Sequence, residues 1–231
     1  MNDVAEKAGV SIATVSRVLN GRPHSRISPW TRDAVMAAAK ALNYHIDPIG
    51  RALRVQSTAS LGLVVPNITN PFFPALIQAV EAAGRRSSWS MVLSDAQDDP
   101  AVEREVTELL VARRVDALLI SPCDRIRSRK TILRLAESLP VVQLDRSCTS
   151  KVDHVGVDHV DAIGQVLAHL TAEGRTRLAF LGVHSSEWPA HQREVAFRRW
   201  ARHHFPQAPV LLGESTLAWG SDAVTKALTD D

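Results

Sequence analysis

The sequence has little of what marks secreted, membrane-bound or metal-binding proteins. It contains only two cysteines, Cys123 and Cys148, which lie far apart and form no CxxC motif. Such usage is typical of reduced, buried thiols rather than of a disulfide framework or a zinc site. No apolar run approaches the roughly eighteen residues that a membrane-spanning helix needs, and the start MNDVAEKAG lacks the basic and apolar regions of a secretion signal. We therefore expect a cytoplasmic protein.

The motifs of the common enzyme classes are also missing. There is no GxGxxG or GxxxxGK[ST] phosphate loop and no GxSxG nucleophile elbow. Four polar residues come nearest to a metal cluster: His154, Asp158, His159 and Asp161. Its two histidines flank an expected strand-to-helix junction, where capping and surface roles are commoner than metal binding. The sequence predicts no catalytic residue, no metal and no cofactor.

Positive charge is concentrated at the N-terminal end of the chain. Residues 1–56 contain eight Lys and Arg against four Asp and Glu, a net charge of +4, whereas the whole chain carries +2. The remaining residues therefore carry −2, from 19 basic and 21 acidic groups. A small basic head on a slightly acidic body is what a phosphate-binding module joined to a sensor domain would have.

The head, residues 1–46, has the sequence signals of a helix-turn-helix. A short helix over residues 3–8, with no side-chain cap at its start, is stopped by Gly9. Ser11 then caps a second helix over residues 12–20, and Ser28-Pro29 begins a third. Periodicity alone fits an ordinary three-helix bundle equally well. The basic charge and the exposed polar face of the second helix favour DNA binding.

Three stretches of the head resemble the LacI/GalR family of bacterial transcription regulators: DVAEKAGVSIATVSRVLNG, ISPWTRDAVMAAAKALNYHIDP and GRALR. The resemblance implies that Ile12, Ala13 and Arg17 read DNA bases. It also implies that four polar side chains anchor the DNA backbone: Ser11, Thr14, Ser16 and Asn20. Ile12 and Ala13 can only contact thymine methyl groups or exclude a base, whereas Arg17 can bind guanine O6 and N7 in a fork. A solvated helix arginine is the alternative for Arg17.

Residues 47–57 resemble the hinge helix of the same family, which folds when two copies meet on DNA. An isolated helix of this length is marginal, so coupling its folding to binding is physically reasonable. Leu53 and Arg54 are the expected minor-groove residues, with Leu53 wedged between base pairs at the centre of the operator. Asp47 and Gly50 stand where the family usually has asparagine and alanine, and both weaken the helix. A plain linker, with Leu53 packed on the body, is the alternative.

Residues 58–231 alternate short apolar runs with stretches of helical periodicity. We expect strands at 61–65, 90–93, 116–120, 141–144, 154–157 and 178–183, and helices at 72–86, 100–113, 128–139 and 160–172. This alternation, in a chain that is 45% hydrophobic, predicts an α/β domain with a doubly wound parallel sheet, in which ligands bind at the carboxyl ends of the strands. VVPNITNPFF, PVVQLDR and VGVDH resemble the periplasmic-binding-protein-like effector and dimerisation domain of the same family. Relative to that family, we expect the domain to be incomplete at its C-terminus by about its last third.

The resemblance implies an effector site made of Asn67, Phe72, Phe73, Asp145 and Arg193. The two aromatic rings can pack against a sugar face or a purine, and the guanidinium can bind hydroxyl or carboxylate groups. Each candidate has a structural alternative. The aromatic residues can belong to the core or to an interface, Arg193 to a solvated helix face, and Asp145 to a turn or a cap.

The function implied by the resemblance is that of a sequence-specific repressor. It would bind a palindromic double-stranded DNA operator as a homodimer, under the control of a small sugar-like or nucleobase-like effector, with no membrane partner. Two alternatives stay open at this point. One is a solute-binding or interaction module that does not bind DNA, and the other is a non-functional fragment of a regulator.

Overall fold

The computed structural model describes residues 1–19, 27–44, 57–184 and 188–229. The chain divides into two compact units, Met1–Thr58 and Ala59–Asp231. The first unit contains α1 (Asn2–Ala8), α2 (Ile12–Leu19) and α3 (Pro29–Ala41). Within the described residues, none of the helices is both long and apolar enough to cross a membrane.

The end of α1 and the starts of α2 and α3 lie at the residues that the sequence indicated, whereas α1 begins one residue earlier than expected, at Asn2. Asn20, the expected end of α2, lies outside the described residues. Gly9 ends α1 in the left-handed conformation, with φ of 64°. Ser11 Oγ accepts a hydrogen bond from the Thr14 N–H at 3.2 Å, and Ser28 Oγ accepts one from the Thr31 N–H at 3.1 Å. Buried apolar side chains from all three helices form one core: Val4, Ala5, Val15, Val18, Val35, Ala38 and Ala39. This core holds α2 with one face buried and the other free.

Gly9→Ala is expected to destabilise the first unit by about 1–2 kcal/mol, because an L-residue pays that cost in the left-handed region. No atom lies within 4 Å of the added Cβ, so the loss is conformational rather than steric. Gly9→Asn is the matched control, since asparagine tolerates this conformation. The readout is exchange of the Val15 amide, which is bonded to Ser11 O at 3.0 Å. Equal exchange rates in wild type and Gly9→Ala would contradict the prediction.

The second unit opens with a five-stranded parallel sheet. Its strands are β1 (Ser60–Val65), β2 (Ser90–Asp95), β3 (Ala117–Ile120), β4 (Val141–Leu144) and β5 (Asp153–Val155), in the order β2-β1-β3-β4-β5. Helices α4 (Phe72–Arg86), α5 (Pro100–Ala112) and α6 (Arg129–Ala136) connect them. Leu63 and Val65 of β1 belong to one buried cluster and Val64 to another. The sheet is therefore covered on both faces, as the alternating sequence pattern predicted.

A second, smaller sheet follows in the same unit. It contains β6 (Phe180–Val183) and β7 (Val210–Gly213), paired in parallel, with α7 (His159–Ala172), α8 (Trp188–His204) and α9 (Leu217–Thr229). Its buried centre is Leu167, Phe197 and Ala201, with the rings of Phe180 and Phe197 5.1 Å apart. Neither β7 nor α9 was predicted from the sequence, and no bounds were predicted for α8.

Both cysteines are free and buried, as expected from the sequence. Burial raises the pKa of both thiols, that of Cys148 to about 12. They therefore stay protonated and unreactive near neutral pH. Beneath Cys123 lies Glu103 of α5, a fully buried acid whose Oε2 accepts the Cys123 N–H at 2.6 Å.

Burial also raises the pKa of Glu103 above its ordinary value of 4.5. The folded state then holds this proton more tightly than the unfolded state. The contribution of Glu103 to stability is consequently full below the unfolded-state pKa and is lost as the pH rises through the folded-state pKa.

We expect Glu103→Gln to remove that part of the pH dependence, which amounts to at most about 1.4 kcal/mol per pH unit for one proton. The measurement is urea denaturation at a series of pH values from about 4 to about 8. Glu105→Gln, on the exposed side of the same helix, is the matched control for removing a carboxyl group from α5. Identical pH profiles for wild type and Glu103→Gln would show that Glu103 does not titrate in this range.

Candidate functional site

The solvent face of α2 carries the three side chains that were predicted to read bases. Ile12, Ala13 and Arg17 are exposed, while Val15 and Val18 on the opposite side are buried in the core. Such a face offers two apolar side chains at the start of the helix and one guanidinium about a turn later. In a DNA groove, the apolar side chains could contact thymine methyl groups while the guanidinium beside them donates two hydrogen bonds to one base.

Hydroxyl groups surround the start of the same helix. Ser11 and Thr14 are joined through their hydroxyl oxygens at 2.9 Å, and Ser16 is half-buried on the next turn. The same Ser-x-x-Thr arrangement recurs at the start of α3, where the hydroxyls of Ser28 and Thr31 are 2.8 Å apart. The sequence analysis used Ser28 only as a cap. Asn20, Leu53, Arg54 and the rest of residues 47–56 lie outside the described residues.

Asn67, one of the predicted effector residues, lies with Asp98 and Arg146 at the carboxyl ends of β1, β2 and β4. Asn67, after β1, donates from Nδ2 to Asp98 Oδ2 at 2.8 Å. Arg146, after β4, is buried with its Nη1 3.9 Å from Asp98 Oδ1 and its guanidinium 5.7 Å from the centre of the Phe73 ring. Two residues that the sequence analysis did not name, Asp98 and Arg146, therefore link Asn67 to Phe73.

The two neighbouring phenylalanines have different environments. Phe73 is 1% exposed and packs with Leu63, Val65 and Leu144 in the core, whereas Phe72 is 50% exposed. Their rings meet edge to face with centroids 5.2 Å apart. Phe73 thus takes the core position that the sequence analysis held open as an alternative, and Phe72 presents its ring to solvent.

Asp145 and Arg193 come from different parts of the second unit, and the charge of Arg193 acts on the Asp145 carboxyl. Burial raises the pKa of the Asp145 carboxyl, and the nearby charges of Arg146, His159 and Arg193 oppose that rise. Arg193 itself is an exposed residue of α8. A carboxylate and a solvent-exposed guanidinium that act on each other in this way are able to accept from and donate to a polyhydroxylated molecule.

Two histidines and a tryptophan complete this cluster. The Trp188 ring lies 5.1 Å from that of His154 and 5.8 Å from that of His159. His159 is 9% exposed, and burial, followed by the charge of Arg193, lowers its pKa. No local motif could have revealed this grouping, because Trp188 is far from both histidines in sequence.

The polar group considered for a metal has another role. Asp158 caps α7 by accepting the N–H groups of Val160 and Asp161, each at 3.0 Å. Within the described part of the chain, no set of three or more His, Cys, Asp or Glu is arranged to hold a metal ion. A cavity of about 450 Å³ lies elsewhere, between β7 and α9, and none of the predicted site residues lines it.

Comparison with known families covers almost the whole chain. Residues 1–47 match the family described as bacterial regulatory proteins, lacI family. Residues 58–231 match the family described as periplasmic binding proteins and sugar binding domain of LacI family.

Individual proteins give the same result. The chain is 31% identical to the HTH-type transcriptional regulator GalR of Salmonella typhimurium over 99% of its own length and 67% of that protein. It is 31% identical to the HTH-type transcriptional repressor PurR of Mannheimia succiniciproducens over 85% of its own length, and spans only 59% of that relative. Among solved structures, a lac repressor dimer bound to operator and the anti-inducer ONPF matches with a TM-score of 0.82 at 25% identity, over 99% of this chain and 69% of that one.

Proposed function

Because the chain belongs to the LacI family of bacterial regulatory proteins, we propose that it is a sequence-specific DNA-binding repressor of transcription. It binds a palindromic double-stranded operator as a homodimer and responds to a small sugar-like or nucleobase-like effector. The observation that carries the proposal is the exposed face of α2, where Ile12, Ala13 and Arg17 stand beside hydroxyl groups on a basic head. The named relatives are transcription regulators, and we propose that this chain likewise is a regulator and not an enzyme, acting in the cytoplasm.

The DNA-binding part of the proposal assigns residues 1–46 to the head and 47–57 to the hinge. Ile12, Ala13 and Arg17 read bases, and Leu53 and Arg54 enter the minor groove. Backbone contacts come from Ser11, Thr14, Ser16 and Asn20. The hydroxyl pair at the start of α2 supports this role, because hydroxyls and N–H groups at a helix start are suited to phosphate oxygens.

The effector part of the proposal assigns residues 58–231 to effector binding and dimerisation. Asn67, Phe72, Phe73, Asp145 and Arg193 form the effector site. Phe72 supplies an open aromatic face, Asp145 and Arg193 supply a carboxylate and a guanidinium, and Phe73 acts from the core by supporting Arg146. Exposed aromatic surface beside convergent polar groups is the usual composition of a site for a ring-shaped ligand.

The test is fluorescence anisotropy of the full chain on short duplexes. A palindromic library with a central CG step supplies the tightest-binding duplex, and a scrambled version of that duplex is the control. We expect selective binding that falls steeply as salt rises, because phosphate contacts release counterions. Equal, weak affinity for both duplexes would contradict sequence-specific regulation and leave only phosphate attraction.

A further inference from the structure

The backbone of Asp145 is fixed on both sides by β5. Its N–H donates to Val155 O at 2.8 Å, and its carbonyl oxygen accepts from His154 Nε2 at 3.2 Å. Between these two bonds Asp145 adopts φ of 58°, in the left-handed region. That conformation costs an L-residue energy and persists only where the surroundings hold it, although aspartate tolerates it better than most residues.

Gly156 makes the contact between His154 and Asp145 possible. A Cβ at Gly156 would lie 2.7 Å from His154 Nε2 and 3.1 Å from Asp145 O. The backbone itself does not demand glycine here, since Gly156 is not among the residues with positive φ. The missing side chain therefore serves to leave room for the imidazole at this carbonyl.

The other side of the imidazole contacts the helix that carries Arg193. The ring of Trp188, in the first turn of α8, meets that of His154 at 5.1 Å and an interplanar angle of 68°. His154 thus contacts Asp145 directly and the helix of Arg193 through Trp188. One nitrogen bonds the backbone of Asp145, and the ring packs on the helix of Arg193.

We propose that His154 is a positioning residue. It holds Asp145 in its left-handed conformation, at the position from which Asp145 and Arg193 bind the effector. This inference rests on the proposed function, in which Asp145 and Arg193 bind the polar groups of the effector. His154 itself need not touch the effector. Its two contacts act separately, so two substitutions can separate them.

The test compares His154→Phe, which keeps a ring against Trp188 but removes the donor, with His154→Gln, whose amide nitrogen can lie where the imidazole Nε2 lies. The readout is amide hydrogen exchange of Asp145 by NMR on the full chain, without DNA or effector. We expect exchange about tenfold faster in His154→Phe, the effect of losing one hydrogen bond. His154→Gln should keep most of the protection.

Gly156→Ala should behave like His154→Phe, because the added methyl group excludes the imidazole. In a His154→Ala background the clash with the imidazole is gone, so Gly156→Ala should then have a smaller effect on the Asp145 amide, limited to the 3.1 Å approach of its Cβ to Asp145 O. The Leu63 amide, in the centre of the same sheet, is the internal control and should not change in any variant.

Two results would overturn the proposal. One is an unchanged Asp145 exchange rate in His154→Phe, and the other is equal acceleration at Asp145 and Leu63, which is the mark of a general loss of stability. Because the measurement needs no ligand, its failure is distinguishable from failure of the proposed function. That function is judged by the operator-binding experiment on the wild-type chain.

Discussion

Arg17→Ala is expected to weaken binding to the selected palindromic duplex by about 5- to 150-fold, while binding to the scrambled duplex changes little. The range corresponds to the roughly 1–3 kcal/mol that a two-pronged contact with guanine contributes to discrimination. The physical reason is the position of Arg17 on the exposed face of α2, opposite the buried Val15 and Val18. Alanine keeps the helix, because its helix propensity is the highest of all residues.

The matched control is Arg32→Ala, which removes an equal charge from an exposed position of α3. Losing a cation that only attracts phosphate should lower affinity for both duplexes alike and reduce the salt slope by about one. Losing a base contact should lower affinity for the selected duplex alone. If Arg17→Ala and Arg32→Ala behave in the same way, Arg17 is a solvated or phosphate-binding arginine and the base-reading assignment is wrong.

The helix ends and helix ranges that could be predicted from sequence are those determined by residues close together in the chain. Gly9, Ser11 and Ser28 act on residues within one turn of the chain, so these residue types indicate the helix ends directly. The same holds for Asp99-Pro100, which begins α5 where the sequence pattern placed a helix. Helix α4 likewise matches its predicted range over residues 72–86, because its apolar residues repeat with helical spacing.

What escaped prediction depends on partners far away in the chain. Nothing near Arg146 in sequence indicates that its guanidinium will lie against Phe73 and beside Asp98. Similarly, Trp188 meets His154 only because α8 returns to the carboxyl edge of the first sheet. The five effector residues were predicted from the resemblance, whereas the residues that contact them could be identified only from the fold.

Phe72 and Phe73 are adjacent but differ in burial. Substituting each in turn therefore distinguishes a contribution to the core from a contribution to the proposed effector site. Phe73→Ala is expected to lower the free energy of unfolding by about 3–5 kcal/mol, the cost of truncating a buried aromatic side chain. It removes a ring that is 1% exposed and that also supports the buried guanidinium of Arg146. Phe72→Ala removes a half-exposed ring, so its effect should stay near the roughly 0.5 kcal/mol of surface substitutions. Urea denaturation of the two variants measures both values.

The contrast in stability determines how effector binding can be interpreted. A variant that loses several kcal/mol can lose a ligand simply by unfolding, so reduced binding in Phe73→Ala would say nothing about contact. Phe72→Ala should stay folded, and the loss of a thermal shift that the wild type shows with any member of a panel of sugars and nucleobases would then reflect the missing ring. Comparable destabilisation of both variants would contradict this assignment, because it would mean that Phe72 is held as tightly as Phe73 and has no face free for an effector.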